Sequence, residues 1–122
     1  MPISVLIADD ERDLVEVLGL LLEAMDYKVY TALDGAGAVT VLEKAKPDVL
    51  ILDMNMPGLK GDAVLATMAR MGLKTKVIVS TGRTQLDEGF KRQMQDFGVA
   101  AVVEKPVTVE ELDGVIKQVL NG

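Results

Sequence analysis

The chain has 122 residues, of which 49% are hydrophobic but only 3% aromatic, and its net charge is -6. This length fits one domain, placed here at residues 1–122, with a core of aliphatic and methionine side chains. The lack of cysteine and histidine excludes disulfides, thiolate metal sites and a Ser-His-Asp triad. The chain has more acidic than basic residues, and its basic residues form no cluster along the sequence. Both features argue against direct nucleic-acid binding. The N-terminal apolar run is too short for a signal peptide or membrane span, so we expect a cytoplasmic protein without membrane association.

Predicted strands and helices alternate along the chain. Short apolar runs predict five strands, at residues 3–8, 28–32, 49–52, 77–80 and 100–103. After the first strand, apolar residues recur at helical spacing and predict one core-facing stripe: Leu14, Val17, Leu18, Leu21, Leu22 and Met25. Gly72 and Gly98 stand where the third and fourth helices should end, since a left-handed residue is favoured there. Thr108 and Glu111 form a capping-box pattern that begins the last helix.

Five strand-helix units predict an α/β fold, an open doubly wound parallel sheet covered by helices on both faces. The run at 28–32 alternates and carries a lysine, which places it at an edge of the sheet, whereas 3–8 and 49–52 belong in the middle. A closed barrel would need about eight such units. In open sheets of this kind, ligands bind beyond the carboxyl ends of the strands.

Polar side chains follow four of the five predicted strands and should therefore meet at that end of the sheet. They are Asp9 and Asp10 after the first strand, Asp53 after the third, Ser80 and Thr81 after the fourth, and Lys105-Pro106 after the fifth. Three close carboxylates repel one another unless a positive charge lies among them. Oxygen ligands without histidine or cysteine suit a hard cation such as Mg²⁺.

The motifs "ADDE", "LDMNMPG", "VIVSTG" and "EKP", in this joint spacing, resemble the receiver domains of two-component response regulators, and the whole chain is similar to the single-domain chemotaxis regulator. The resemblance implies a flavodoxin-like sheet with strand order 2-1-3-4-5 and five flanking helices. It implies a signalling switch that is activated by phosphorylation, rather than an enzyme. This switch would signal through a face made of the fourth helix, the fifth strand and the fifth helix.

The resemblance also implies roles for individual residues. Asp53 would accept a phosphoryl group from a phosphohistidine on a sensor histidine kinase or phosphotransfer protein, and Thr81 and Lys105 would bond the phosphoryl oxygens. The Lys105-Pro106 peptide bond would be cis. Many receivers carry an aromatic residue three positions before this lysine, whereas this chain has Val102.

The resemblance implies a Mg²⁺ site as well. Asp10, Asp53 and the backbone carbonyl of Asn55 would bind the ion, with Asp9 reaching it largely through water.

Two other functions remain as alternatives. A phosphatase that forms an aspartyl-phosphate would also place an aspartate after an apolar strand, but it needs an acid two residues later, where this chain has Asn55. A receiver-like scaffold that is never phosphorylated would not need the full set of acids, Thr81 and Lys105. We expect a downstream output domain or protein as a further partner. The expected oligomeric state is a monomer or weak dimer. The sequence leaves open whether the domain stands alone.

Overall fold

A computed structural model describes residues 2–54, 56, 60–82 and 87–121. Strand and helix alternate throughout this part of the chain. The elements are β1 (Ser4–Ala8), α1 (Arg12–Ala24), β2 (Lys28–Ala32), α2 (Gly35–Ala45), β3 (Val49–Asp53), α3 (Gly61–Met71), β4 (Lys76–Thr81), α4 (Glu88–Asp96), β5 (Ala101–Glu104) and α5 (Val109–Asn121).

The five strands form one parallel sheet in the order β2-β1-β3-β4-β5. This confirms the predicted fold class, the strand order and the edge position of β2. The central strand, β3, is buried along its whole length, in keeping with its unbroken run of apolar residues. The predicted ends of β3 and β4 fell one residue short, because Asp53 and Thr81 are the last residues of these strands rather than the first residues after them.

Alternate residues of each strand point to opposite faces of the sheet, and each face carries its own core cluster. On one face Leu50, Leu52 and Val79 pack with side chains of α2, α3 and α4, including Leu42, Val64 and Met94. On the other face Ile7, Ile51 and Ile78 pack with side chains of α1 and α5, including Leu18, Leu22, Leu112 and Ile116. Helices on both faces leave the strand ends as the part of the sheet that can bind ligands.

The predicted apolar stripe of α1 was wrong in part. Leu18 and Leu22 are buried as expected, together with Val15 and Gly19, which the stripe did not include. The stripe residues Leu14, Val17, Leu21 and Met25 are exposed instead. The helix is apolar over more of its circumference than the sheet can cover, so periodicity alone could not fix which residues face the sheet.

Helix ends agree with the signals in the sequence. Gly72 and Gly98 follow α3 and α4 with φ values of 64° and 77°, the left-handed region that favours glycine. The N–H of Glu111 donates to the Thr108 hydroxyl at 3.1 Å, which caps the start of α5. Among the described residues, no helix has both the length and the apolar character that a membrane crossing requires.

Candidate functional site

The carboxyl ends of the central strands bring the predicted site residues together. Asp9 follows β1 directly, and Asp53 ends the neighbouring strand β3, in which Leu52 pairs with Ala8. Ser80 of β4 pairs with Asp53, and Thr81 is the next residue. Asp9, Asp53 and Thr81 are only 5%, 7% and 1% exposed, so the strand ends hold two carboxylates and a hydroxyl largely away from water.

Three carboxylates form one cluster at this end of the sheet. Asp9, Asp10 and Asp53 each offer an oxygen, and these oxygens lie within 4.8 Å of one another. Asp10 is exposed whereas the other two are buried, so the cluster opens toward solvent on the Asp10 side. Carboxylate oxygens at this spacing fit a small hard cation, which would offset the repulsion between them.

The Lys105 ammonium supplies a positive charge within the protein itself. Its Nζ donates a hydrogen bond to Asp9 Oδ2 at 2.9 Å and lies 3.7 Å from Asp53 Oδ2 and 3.8 Å from Glu11 Oε1. Burial lowers the pKa of Lys105, but the hydrogen bond to Asp9 and the charges of Asp9, Asp53 and Glu11 outweigh it, so the pKa lies above its usual value. The ammonium is therefore held charged among the acids.

Backbone contacts fix the segment that carries Lys105. The Lys105 N–H donates to the Thr81 carbonyl at 2.8 Å, and Glu104 pairs with Thr81 across β4 and β5. The Lys105-Pro106 bond is cis, as the resemblance implied. These contacts bring the ends of β4 and β5 to the carboxylates at the ends of β1 and β3.

Helix α3 approaches the chain closely just after Asp53. A Cβ atom at Gly61 would lie 2.7 Å from the Met54 Cα and 2.6 Å from its sulfur, so only glycine fits at this helix start. Asn55 lies outside the described residues, and its proposed carbonyl ligand therefore stays a prediction.

A further acidic residue, Glu11, lies beside the site, although its motif alone predicted no role for it. Glu11 belongs to the "ADDE" motif, its N–H donates to Asp9 Oδ1 at 3.0 Å, and its own carboxylate faces Lys105. Its place in the motif was a usable signal, but its side-chain direction depends on the first turn of α1 and could not be obtained from spacing.

Comparison with known proteins decides the family. A family model described as the response regulator receiver domain matches residues 5–117. This chain belongs to the response regulator receiver domain family. Members of this family are phosphoacceptor regulators of two-component signalling that are phosphorylated on an aspartate. Of the functions that the sequence left open, the comparisons support the signalling receiver.

The sequence relatives of this receiver domain differ in length. The chain is 38% identical over 107 residues to the transcriptional regulatory protein KdpE of Mycobacterium tuberculosis, a match that covers 88% of this chain and 46% of KdpE. It is 27% identical over 117 residues to sporulation initiation phosphotransferase F of Bacillus subtilis, covering 96% and 93% of the two chains. The receiver domain thus spans about half the length of KdpE but nearly all of the phosphotransferase.

Solved structures show the same fold. The chemotaxis protein CheY4 of Vibrio cholerae superposes with a TM-score of 0.89 at 26% identity, covering 98% of this chain and 99% of that chain. A DNA-binding response regulator of the LuxR family from Staphylococcus aureus gives a TM-score of 0.86 at 32% identity, covering 96% and 98%.

Proposed function

We propose that Asp53 is the phosphoacceptor of this receiver domain. The observation that carries the proposal is the position of Asp53, a buried carboxylate at the end of the central strand that lies 3.7 Å from the Lys105 ammonium and within the cluster of Asp9 and Asp10. A rigid strand end holds the nucleophile in a fixed direction, which lowers the entropic cost of reaching the reactive geometry.

The proposed reaction is the transfer of a phosphoryl group from a phosphohistidine. One Asp53 carboxylate oxygen forms a bond to phosphorus while the bond from phosphorus to the imidazole nitrogen breaks. The bonding electron pair returns to that nitrogen, which takes up a proton from water. Because a carboxylate is already ionised at neutral pH, the step needs no general base, and the absence of histidine from this chain is no obstacle.

Charge neutralisation is the contribution of the surrounding residues. Negative charge on the phosphoryl oxygens increases toward the transition state and is stabilised by fixed positive groups. Lys105 is held charged beside Asp53, and the buried Thr81 hydroxyl lies at the end of the neighbouring strand. Both are proposed to bond the phosphoryl oxygens once the group has been transferred.

We propose Mg²⁺ as the cation of the carboxylate cluster. Asp10 and Asp53, with the Asn55 carbonyl, would bind it directly, and Asp9 would act largely through water because its Oδ2 already accepts from Lys105. Bound by these residues, the ion would supply positive charge that offsets the negative charge of the carboxylates and of the phosphoryl group. The donor set of oxygens alone supports this choice over a transition metal.

The proposed partners follow from the family. A sensor histidine kinase or phosphotransfer protein would supply the phosphoryl group, and a downstream domain or protein would read the face of α4, β5 and α5. Several relatives are named as transcriptional regulatory proteins of about twice this length, so a fused output domain is one form that this partner could take.

Coupling between the site and this output face should be incomplete in the isolated domain. Val102 of β5 pairs with Val79 and packs against the core cluster that includes Met94 of α4. Phosphorylation shifts a two-state equilibrium only by the difference in free energy it creates, and a complete shift requires about 5.5 kcal/mol. Since valine fills little of any space that Thr81 would leave, we expect a partial shift, or one that depends on a partner or dimer contact.

NMR spectra of the free domain and of its beryllofluoride complex test this expectation, with the fluoride standing in for the phosphoryl group. At saturation, resonances of α4 and β5 should move only part of the way from their positions in the free domain toward those of the fully switched state. A complete two-state shift in the isolated domain would show that Val102 does not limit the coupling.

Intact-mass spectrometry tests the phosphoacceptor itself. With Mg²⁺ and acetyl phosphate, the wild type should gain one phosphoryl group, and Asp53→Asn should gain none. Asp96→Asn, an exposed aspartate at the end of α4, is the matched control and should be labelled like the wild type. Labelling of the Asp53→Asn variant would refute the assignment.

A further inference from the structure

A small hollow extends from the candidate phosphorylation site into the space between α1 and the segment that joins β5 to α5. Its volume is about 350 Å³, at the lower end of the range for small-molecule sites. Apolar side chains form most of its wall: Ile7, Leu14, Leu18, Ile51, Pro106 and Val107. Ile7 and Ile51 belong to the core, so the floor of the hollow is the sheet itself, whereas Leu14 on its rim is 36% exposed.

The mouth of the hollow is charged, and the acids outnumber the base. Asp9, Glu11 and Asp53 contribute three carboxylates, whereas Lys105 contributes one ammonium. Lys105 is already engaged with Asp9 at 2.9 Å, and the Glu11 side chain is 66% exposed at the entrance. When no metal ion is bound by the carboxylates, a cationic group at this mouth is therefore attracted, and an anionic group is repelled.

We propose that this hollow binds a small apolar amine. The apolar body of the ligand packs against Ile7, Leu14 and Ile51, and its ammonium lies at the mouth near the Glu11 and Asp53 carboxylates. This binding site goes beyond the acceptance of a phosphoryl group and does not depend on it. The apolar wall supplies affinity and the carboxylates select the sign of the charge.

Occupancy of the hollow has a consequence for the carboxylate cluster. The ligand ammonium adds positive charge beside Asp9 and Asp53, so it disfavours any second cation held by the same carboxylates, and the reverse is equally true. This consequence rests on the proposed function, whereas binding of the amine does not. The decisive experiment is therefore made without Mg²⁺ and without a phosphodonor.

Three probes with the same ring and different charge test the site. Tryptamine is a cation, 3-methylindole is neutral and indole-3-propionate is an anion at neutral pH. In NMR titrations of the whole domain, tryptamine should shift the resonances of Ile7, Leu14, Ile51 and Val107 and should bind at least tenfold more tightly than indole-3-propionate, with 3-methylindole between them. Equal binding of the three probes, or shifts centred elsewhere, would overturn the proposal.

Matched variants locate the binding. Leu14→Trp should fill the hollow and weaken tryptamine binding more than tenfold. Leu20→Trp makes the same change on the same helix at a residue that is 67% exposed and outside the hollow, and it should bind like the wild type. Unchanged binding in Leu14→Trp would contradict the proposed location.

A charge variant keeps the test valid if Leu14→Trp does not fold. Glu11→Gln should weaken tryptamine binding severalfold and leave 3-methylindole unaffected, whereas Glu16→Gln on the same helix should change neither. An equal loss for both probes in Glu11→Gln would contradict the role of charge at the mouth. If Asp53 proves not to accept a phosphoryl group, these titrations are unaffected, so failure of the two proposals can be told apart.

Discussion

Asp10 is the member of the carboxylate cluster that faces solvent, since Asp9 and Asp53 are buried. We expect Asp10→Asn to weaken Mg²⁺ binding by about tenfold or more, because the substitution removes a charged ligand. A tenfold loss of affinity corresponds to about 1.4 kcal/mol of binding free energy. A Mg²⁺ titration followed by NMR or calorimetry measures the change. Asp13→Asn, in the first turn of α1, serves as the control. If Asp10→Asn binds Mg²⁺ as tightly as the wild type, Asp10 is not a ligand.

The positions of the proposed site residues in the fold could be predicted from the sequence because each ends or directly follows an apolar run. The parallel arrangement then brings Asp9, Asp53 and Lys105 to one end of the sheet. Which carboxylate Lys105 contacts could not be predicted, since the Nζ distances of 2.9 Å to Asp9 and 3.7 Å to Asp53 depend on side-chain rotamers and on the Glu11 position. Spacing along the chain carries no information about those rotamers.

At the scale of single elements, the start of α3 depends on one glycine. We expect Gly61→Ala to destabilise the fold by about 1–3 kcal/mol, because the new methyl group would overlap the Met54 backbone. Gly114→Ala in the interior of α5 is the matched control, since nothing lies within 4 Å of its added Cβ. That change should stabilise the domain by about 0.5–1 kcal/mol through helix propensity.

Urea unfolding of the two variants measures these opposite effects. Equal stability changes of the same sign in both would show that the contact between Gly61 and Met54 is not restrictive.

Tyr27, a buried residue directly before β2, forms a hydrogen bond with helix α5. The Tyr27 hydroxyl donates to the Asp113 carboxylate, and this hydrogen bond, with help from Lys117, lowers the pKa of Asp113 below its ordinary value of 3.8 despite partial desolvation. A lowered pKa in the folded state means that the stabilisation is present above pH 3.8 and is lost as the pH falls through the folded-state value.

The unfolding free energy of Tyr27→Phe should therefore fall below that of the wild type near neutral pH, and the difference should shrink in acid. Tyr30→Phe on β2 is the control, since phenylalanine keeps the ring that faces the Lys28 ammonium. A difference between wild type and Tyr27→Phe that is the same at neutral and acidic pH would rule out the ionised Asp113 as the partner that matters.

Element types could be predicted more reliably than element faces. The structure confirms the helix ends that short sequence signals predicted. These signals are the capping pair Thr108 and Glu111 and the terminal glycines Gly72 and Gly98. The face of α1 could not be obtained in the same way, because its many apolar residues are compatible with more than one orientation. Contact with β1 and β2 selects the orientation, and this is a tertiary effect that local periodicity does not contain.

Across the whole domain, the layered architecture could be predicted because parallel strand-helix units allow few arrangements, whereas the strand order was implied by the resemblance to receiver domains. The order 2-1-3-4-5 places β1, β3 and β4 side by side, so that the residues that end or follow them converge. The hollow between α1 and the segment before α5 could not be predicted, since it depends on how two helices on the same face of the sheet are spaced.

The relatives differ in length from this receiver domain. This difference bears on the output domain that could accompany it and not on the chemistry of the site. The receiver domain covers about half of KdpE and nearly all of sporulation initiation phosphotransferase F, so similar proteins include both longer chains and chains of about this length. The chemistry proposed at Asp53 is the same in either case, because the carboxylates and Lys105 all lie at one end of this sheet.

Direct mapping of the modified residue tests whether Asp53 carries the phosphoryl group. The wild-type domain is phosphorylated with acetyl phosphate and Mg²⁺, digested with pepsin in acid and analysed by tandem mass spectrometry. The phosphoryl group should be found on Asp53 alone, in the peptide that contains the end of β3. A phosphoryl group on Asp9, Asp10 or the Thr81 hydroxyl would show that Asp53 is not the phosphoacceptor.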